Sequence, residues 1–285
     1  MVRDSLDGIV KTSDGCQLAY TLHPSPASGA PRIVLIHSLA LDQSMWNGVV
    51  SELVSSAEVL TYDCRGHGAS RHPATTYSAE LFARDLAELL NHLGWPGAAI
   101  AGCSMGGCVA QAFAGMYPDR THGLALIDTT AWYGREAWMQ WRERAAAARE
   151  KGLGGLVDFQ LMRWFSDQFR GSHPEVGNAL IKVFLANDID CYAATCEMLG
   201  DADLRRYLPT FRMPVSVIVG EEDYATPIGM ARELHAAIPQ STFTVIAGGR
   251  HLTPVERPKE IARLLATVVG QSGGRRAGIA GGRDS

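Results

Sequence analysis

The sequence has no excess of basic residues. Its 285 residues include 26 Lys and Arg against 30 Asp and Glu, which gives a formal net charge of -4. Proteins that bind nucleic acid through the phosphate backbone depend on clustered positive charge. We therefore expect no nucleic-acid partner.

Long hydrophobic runs are also absent. No uninterrupted apolar stretch approaches the ~18 residues that a membrane-spanning helix requires. The opening segment, Met-Val-Arg-Asp-Ser-Leu-Asp-Gly, is too polar and acidic for a signal peptide. These two absences predict no membrane association and a cytoplasmic location.

The sequence contains no Cys-x-x-Cys and no His-x-x-x-His spacing, so no pattern indicates a zinc site. Its six cysteines are spread through a large chain. Without a signal sequence, this distribution favours reduced thiols over disulfides.

The hydrophobic content of 46% and the charged content of 20% are typical of a globular protein with a large core. Two strand candidates, Gly8 to Lys11 and Cys16 to Leu22, flank an Asp14-Gly15 turn and predict an antiparallel start. Short apolar runs then alternate with helical patterns. This alternation predicts an α/β fold in which a mostly parallel eight-stranded sheet is flanked by helices. The first four apolar runs are Ile33 to Ile36, Val59 to Tyr62, Ala98 to Ala101 and Leu124 to Ile127.

The alternation stops at Asp128 and resumes at Pro214. Residues 129–212 have helical periodicity and hold four of the six tryptophans. We interpret this stretch as a helical cap over the carboxyl edge of the sheet, where open α/β sheets bind ligands. The predicted domains are therefore a core of residues 1–128 and 213–270, the cap, and a flexible tail of residues 271–285.

The segment Gly102-Cys103-Ser104-Met105-Gly106-Gly107 follows a predicted strand and opens a predicted helix. This context is typical of a nucleophile elbow, in which a serine sits at the apex of a sharp turn. Flanking glycines allow the strand and the helix to approach closely. We therefore predict that Ser104 is a catalytic nucleophile.

A serine hydroxyl needs a positioned base and an orienting acid, which in this kind of sheet follow in the order Ser, Asp or Glu, His. His251 follows the strand at 242–246, and we predict that it is the base. Asp223 follows the strand at 215–219 and is the favoured acid. Asp128, at the end of the strand at 124–127, is its rival, because a carboxylate there could reach the same imidazole.

Acyl transfer also requires backbone N–H donors for the oxyanion, and we assign the N–H groups of Leu39 and Met105. Among the cap tryptophans, Trp138 and Trp164 are predicted to face the pocket and bind substrate. Arg163 or Arg142 could pair with a substrate carboxylate.

These motifs resemble those of the α/β-hydrolases, and most closely those of the β-ketoadipate enol-lactone hydrolases. The similarity extends from about residue 9 to residue 268. The elbow and the loop from Asp63 to Gly68 are features of the whole superfamily. The Ile36-His37-Ser38-Leu39 loop and the Arg163-Trp164-Phe165 triplet point to the lactonase group.

The resemblance implies a cofactor-free hydrolase of an enol-lactone that carries a carboxylate, with Ser104, Asp223 and His251 as its triad. Ala40 departs from the glycine that is usual in that group. Trp141 stands near where we expect a basic residue, with Arg142 beside it. These departures bear on which substrate the protein binds more than on the type of reaction that it catalyses.

The favoured function is a serine hydrolase that opens a small (enol-)lactone through an acyl-enzyme, in the breakdown of aromatic compounds. A general carboxylesterase and a carbon-carbon bond hydrolase of ring-cleavage products are alternatives on the same triad. A non-catalytic ligand receptor on the same fold is a further alternative. The expected partner is a small-molecule substrate, and the sequence is compatible with a homo-oligomer.

Overall fold

The computed structural model describes residues 4–71 and 75–280, without the side chains of residues 272–280. Eight strands of this chain form one sheet. They are β1 (Leu6–Lys11), β2 (Gln17–His23), β3 (Arg32–Ile36), β4 (Glu58–Tyr62), β5 (Ala98–Cys103), β6 (Thr121–Ile127), β7 (Val215–Gly220) and β8 (Thr242–Ile246).

Helices connect and cover these strands. They are α1 (Asn47–Leu53), α2 (Ala79–His92), α3 (Met105–Met116), α4 (Ala137–Lys151), α5 (Val157–Trp164), α6 (Asp167–Ser172), α7 (Pro174–Leu185), α8 (Ile189–Asp201), α9 (Ile228–Ala237), α10 (Thr253–Glu256) and α11 (Pro258–Ala280). Short 3-10 turns occupy Gln43–Trp46, Pro118–Arg120, Leu153–Leu156 and Leu208–Thr210. In the described ranges, no helix is both long and apolar enough to cross a membrane.

The strand order is β1-β2-β4-β3-β5-β6-β7-β8. The pairs β1·β2 and β2·β4 are antiparallel, and the remaining pairs are parallel. All residues of β5 and β7 are buried, because helices cover both faces of the sheet. The prediction of an α/β fold with a mostly parallel eight-stranded sheet is therefore confirmed. This arrangement brings the carboxyl ends of β3, β5, β6, β7 and β8 to one edge.

Between β6 and β7 the chain forms the helices α4 to α8, which correspond to the stretch that we interpret as a cap. The two ends of this stretch are joined, because the Leu204 N–H donates a 2.9 Å hydrogen bond to the Ala131 carbonyl. Trp132 and Asp203 pair as an isolated antiparallel bridge beside it. The exact limits of core and cap remain a prediction.

The last helix is longer than the sequence predicts, while the flexibility of the tail, residues 271–285, stays a prediction. Helix α11 continues to Ala280 instead of ending before residue 271. No proline interrupts this stretch, and adding a residue to an existing helix costs far less than nucleating one. Residues 281–285 of the predicted tail lie outside the described residues.

The first turn of α3 lies against the end of β3 without room for a side chain. A Cβ atom at Gly106 would collide with the backbone carbonyl oxygens of Ile36 and His37. The missing side chain therefore allows the helix that begins after Ser104 to touch the loop that holds Leu39.

We expect the substitution Gly106→Ala to lower the free energy of unfolding by roughly 1 to 3 kcal/mol, because the added methyl group overpacks a backbone contact. Urea denaturation measures the change. Gly171→Ala is the matched control, since a Cβ there meets no atom within 4 Å. Equal stability of the two variants would contradict the close contact.

Candidate active site

Ser104 lies at the turn between β5 and α3. Its backbone φ of 55° and ψ of -115° are strained for a residue with a side chain. Its N–H donates to the Ile127 carbonyl at 2.9 Å, and the Thr129 hydroxyl donates to the Ser104 carbonyl at 2.7 Å. The turn is thus held from β6, and it directs the serine hydroxyl away from the sheet.

His251 joins Ser104 to Asp223. Its Nε2 lies 2.9 Å from the Ser104 Oγ, and its Nδ1 lies 2.8 Å from the Asp223 Oδ2. A carboxylate only accepts hydrogen bonds, so the Nδ1–H donates to Asp223 and Nε2 is left to accept from the serine. All three residues are buried, with exposed fractions of 6% or less. The structure therefore brings together the nucleophile, base and acid that the sequence predicts.

Asp223 is held by its own loop as well as by the imidazole. Its Oδ1 accepts from the N–H groups of Ala225 at 2.7 Å and Thr226 at 3.0 Å, and its Oδ2 accepts from the Thr226 hydroxyl at 2.7 Å. Burial opposes ionisation of this carboxyl. The charge of His251 and the hydrogen bonds from His251 and Thr226 outweigh burial and hold the pKa of Asp223 below its usual value. Asp223 is therefore suited to remain an anion beside His251.

Asp128, the rival acid, is engaged elsewhere. Its Oδ1 accepts from the Gly220 N–H at 2.9 Å, and its Oδ2 accepts from the N–H and the hydroxyl of Thr253 at 3.0 and 2.6 Å. Burial, followed by the nearby charge of Asp223, raises the pKa of Asp128 well above its usual value. Its carboxyl joins the end of β7 to the residue that begins α10, and the carboxylate that accepts a hydrogen bond from His251 is that of Asp223.

The two predicted oxyanion donors lie on either side of Ser104. Met105 is the first residue of α3, and Leu39 lines the same cavity as Ser104. Within the described ranges, neither backbone N–H has a hydrogen-bond acceptor. Their role at an oxyanion stays a prediction, and their free N–H groups are consistent with it.

His37 braces the loop that contains Leu39. Its Nδ1–H donates to the Ser38 carbonyl at 2.8 Å, and its Nε2 accepts from the Cys64 N–H at 2.8 Å. The Ser38 N–H is directed to the Met45 sulfur at 3.2 Å. These hydrogen bonds hold the loop that contains Leu39, and Leu39 lines the cavity.

A small cavity opens beside Ser104 and His251, with about 330 Å³ of space free of protein atoms. Its walls come from the loop after β3, from the elbow, and from the stretch between β6 and β7. The lining residues are Ser38, Leu39, Ser104, Tyr133, Trp141, Arg144, Gln160, Arg163, Trp164 and His251. Five of these residues have no role in the site predicted from the sequence: Ser38, Tyr133, Trp141, Arg144 and Gln160.

Of the two tryptophans predicted to face the pocket, only Trp164 does so. Trp164 is buried and lines the cavity. Trp138 is 55% exposed, lies outside the cavity wall and packs under the Arg142 guanidinium at 5.9 Å. Six residues separate Trp138 from Arg144 on α4, which rotates their side chains roughly 120° apart at 3.6 residues per turn. The prediction for Trp138 is therefore corrected.

Of the two arginines predicted as partners of a substrate carboxylate, Arg163 lines the cavity and Arg142 does not. Arg142 is exposed and forms a bidentate pair with Asp201, with both N–O distances at 3.0 Å. Because of this pairing and its place outside the cavity wall, it does not face a substrate there. Arg144 lines the cavity as well as Arg163, and these two arginines follow Trp141 and Gln160, respectively, by three residues. The helical spacing from Trp141 is the signal that could have identified Arg144.

Neither cavity arginine has an acidic partner among the described residues. The guanidiniums of Arg144 and Arg163 lie 5.5 and 5.0 Å from the Phe159 ring, and Arg144 Nε donates to the Tyr192 hydroxyl at 2.7 Å. Burial, followed by the charge of Arg144, lowers the pKa of Arg163. Among the described residues, two cations therefore line one cavity without a carboxylate at ion-pair distance, although the charge of Asp223 acts on Arg163.

The part of the chain that the structure describes contains no group of three or more His, Cys, Asp or Glu side chains that could hold a metal ion.

The chain is similar to known proteins in sequence and in structure. A family model described as alpha/beta hydrolase fold matches residues 31–258. Over 239 residues the chain is 32% identical to 3-oxoadipate enol-lactonase 2 of Acinetobacter baylyi, covering 84% of this chain and 88% of that protein. The enol-lactonase of Burkholderia xenovorans superposes with a TM-score of 0.87 at 32% identity, covering 92% of this chain and 100% of that one. A malate-bound esterase of Thermogutta terrifontis superposes with a TM-score of 0.85 at 30% identity, covering 95% and 99% of the two chains.

We expect Asp223→Asn to reduce the turnover of an activated ester by roughly 10³ to 10⁴-fold, because the imidazole loses the acceptor that orients it. Asp128→Asn should leave most of the turnover, since Asp128 does not contact His251. Initial rates with p-nitrophenyl acetate measure both effects, and urea denaturation controls for folding. The reverse ranking would assign the acid to Asp128.

Proposed function

The chain belongs to the alpha/beta hydrolase fold family, and from this we propose that it is a serine hydrolase that opens a small lactone through an acyl-enzyme. The observation that carries the proposal is the hydrogen-bonded series from Ser104 through His251 to Asp223, with distances of 2.9 and 2.8 Å. In this proposal these three residues are the catalytic triad.

The reaction runs in two halves. His251 Nε2 takes the proton of the Ser104 hydroxyl as Oγ attacks the lactone carbonyl, and the N–H groups of Leu39 and Met105 stabilise the oxyanion. When the ring C–O bond breaks, the imidazolium returns its proton to the departing ring oxygen and an ester with Ser104 remains. Water then attacks this ester, giving its proton to His251, and release of the acid restores the Ser104 hydroxyl. Asp223 holds the imidazole in position in both halves.

Two features support a small lactone that carries a carboxylate. The cavity is small, and Trp164 with Trp141 supplies apolar surface for a ring. The unpaired guanidiniums of Arg144 and Arg163 suit a carboxylate, which accepts well-oriented hydrogen bonds from arginine. The relatives named 3-oxoadipate enol-lactonase and the structure of an enol-lactonase agree with this substrate class. A role in the breakdown of aromatic compounds follows from the family resemblance alone.

A carboxylesterase acting on linear esters is the second candidate. It is favoured by the similarity to the Thermogutta terrifontis esterase, which was solved with malate, a hydroxylated dicarboxylate. The same triad and the same arginines would serve a linear ester that bears a carboxylate. The ratio of kcat/KM for a carboxylated γ-lactone to that for its open-chain methyl ester distinguishes the two candidates.

We expect Ser104→Ala to abolish turnover of every hydrolysable substrate while leaving the fold intact, because the covalent step needs the hydroxyl. Initial rates and the mass of a trapped acyl-enzyme measure the effect. Ser51→Ala is the control, since that exposed hydroxyl only contacts the Gly48 carbonyl. Substantial residual activity in Ser104→Ala would make the covalent mechanism wrong.

We expect Arg163→Met to raise the KM of a carboxylated lactone by roughly 10 to 100-fold, the effect of losing a hydrogen-bonded charge partner. The KM of an uncharged lactone of the same ring size should change little. Arg142→Met is the matched control, because Arg142 is exposed and paired with Asp201. An equal rise of KM for charged and uncharged lactones would contradict carboxylate recognition by Arg163.

A further inference from the structure

Gln160 is a buried polar side chain without a hydrogen-bond partner. It lies on α5, is 2% exposed and lines the cavity beside Ser104 and His251. Within the described parts of the chain, no group hydrogen-bonds its side-chain amide, and its polar atoms are not sealed inside the protein. When a ligand displaces solvent from the cavity, an amide that finds no partner is costly. The amide is therefore available to a group that enters the cavity.

Four other polar residues of the cavity wall already have substrate partners in the proposed function, whereas the hydroxyls of Ser38 and Tyr133 in the same wall do not. Ser104 and His251 act on the scissile carbonyl. The guanidiniums of Arg144 and Arg163 together offer enough N–H donors for the lone pairs of one carboxylate. Gln160 is left over in this assignment, so it fits a third polar group of the substrate.

The helix places this third group near the carboxylate. Gln160 precedes Arg163 by three residues and Trp164 by four, and side chains at these spacings are neighbours on one helix face, with Cβ atoms roughly 5 to 6 Å apart. An amide both donates and accepts hydrogen bonds but carries no charge, so it matches a hydroxyl or a carbonyl oxygen.

Resting on the proposed function of this site, we propose that Gln160 is a specificity-determining residue. Its amide hydrogen-bonds an uncharged oxygen, hydroxyl or carbonyl, that the substrate carries in addition to its scissile ester and its carboxylate. A substrate that lacks this oxygen leaves the buried amide unpaired and is therefore disfavoured.

The test uses two pairs of acids that differ by one oxygen substituent. Succinate is compared with malate for a hydroxyl, and glutarate with 2-oxoglutarate for a carbonyl. Isothermal titration calorimetry on the full chain gives their dissociation constants without depending on turnover. We expect the wild type to bind the substituted acid roughly 10-fold more tightly in at least one pair, as for one neutral hydrogen bond.

Gln160→Leu should abolish this preference and leave the binding of succinate and glutarate almost unchanged. If Gln160→Leu does not fold, the variant Gln160→Met, which has an unbranched side chain, is used in its place. Gln168→Leu is the matched control, because Gln168 is exposed on α6 and lies outside the cavity wall. The control should keep the wild-type preference.

The outcomes separate this proposal from the proposed function. If the wild type prefers neither substituted acid, or if Gln160→Leu weakens both members of a pair equally, the role of Gln160 is overturned and carboxylate binding stands. If the wild type binds none of the four acids, both carboxylate recognition and the Gln160 proposal are overturned. The protein could show a binding preference that depends on Gln160 and yet hydrolyse esters but no lactone. That result would support the role of Gln160 and overturn only the proposal that the substrate is a lactone.

Discussion

The carboxyl of Asp128 holds together the parts of the chain from which the candidate site is built. It accepts hydrogen bonds from Gly220, at the end of β7, and from Thr253, two residues after the imidazole. The adjacent Thr129 hydroxyl binds the Ser104 carbonyl. The end of β6 therefore fixes the nucleophile turn, the loop that carries the acid and the loop that carries the base. Asp128 itself has a φ of 48°, an unfavourable conformation that its three hydrogen bonds help to maintain.

This arrangement also shifts the pKa values of the two neighbouring carboxyls, Asp128 and Asp223, in opposite directions. Burial and the charge of Asp223 raise the pKa of Asp128, whereas the imidazole and the Thr226 donors outweigh burial and lower the pKa of Asp223. Neighbouring acids whose pKa values move apart take different roles. In the proposed mechanism only Asp223 supplies a negative charge to the imidazolium, while Asp128 acts through the backbone that it binds.

Different parts of the chain supply different groups to the cavity wall. The loop after β3, braced by His37, places Leu39 in the cavity wall. The helices between β6 and β7 contribute aromatic surface, two unpaired guanidiniums and the amide of Gln160. The proposed chemistry thus depends on the sheet edge, and the proposed choice of substrate depends on α4 and α5. Hydrolysis and specificity can therefore vary independently, as expected when a site is built on a common fold.

The sequence by itself determined the sheet, the nucleophile turn and the candidates for base and acid, because these depend on local patterns: apolar runs, glycine spacing and residues at strand ends. It favoured Asp223 but kept Asp128 as a rival. It selected Trp164 and Arg163, which lie in the cavity wall, together with Trp138 and Arg142, which do not, and it missed Arg144. Those choices depend on the rotation of α4 and on which loop reaches the imidazole. Both are set by the packing of segments that are distant in the chain. No local pattern records that packing, so only the tertiary structure decided which carboxyl touches His251 and which side chains line the cavity.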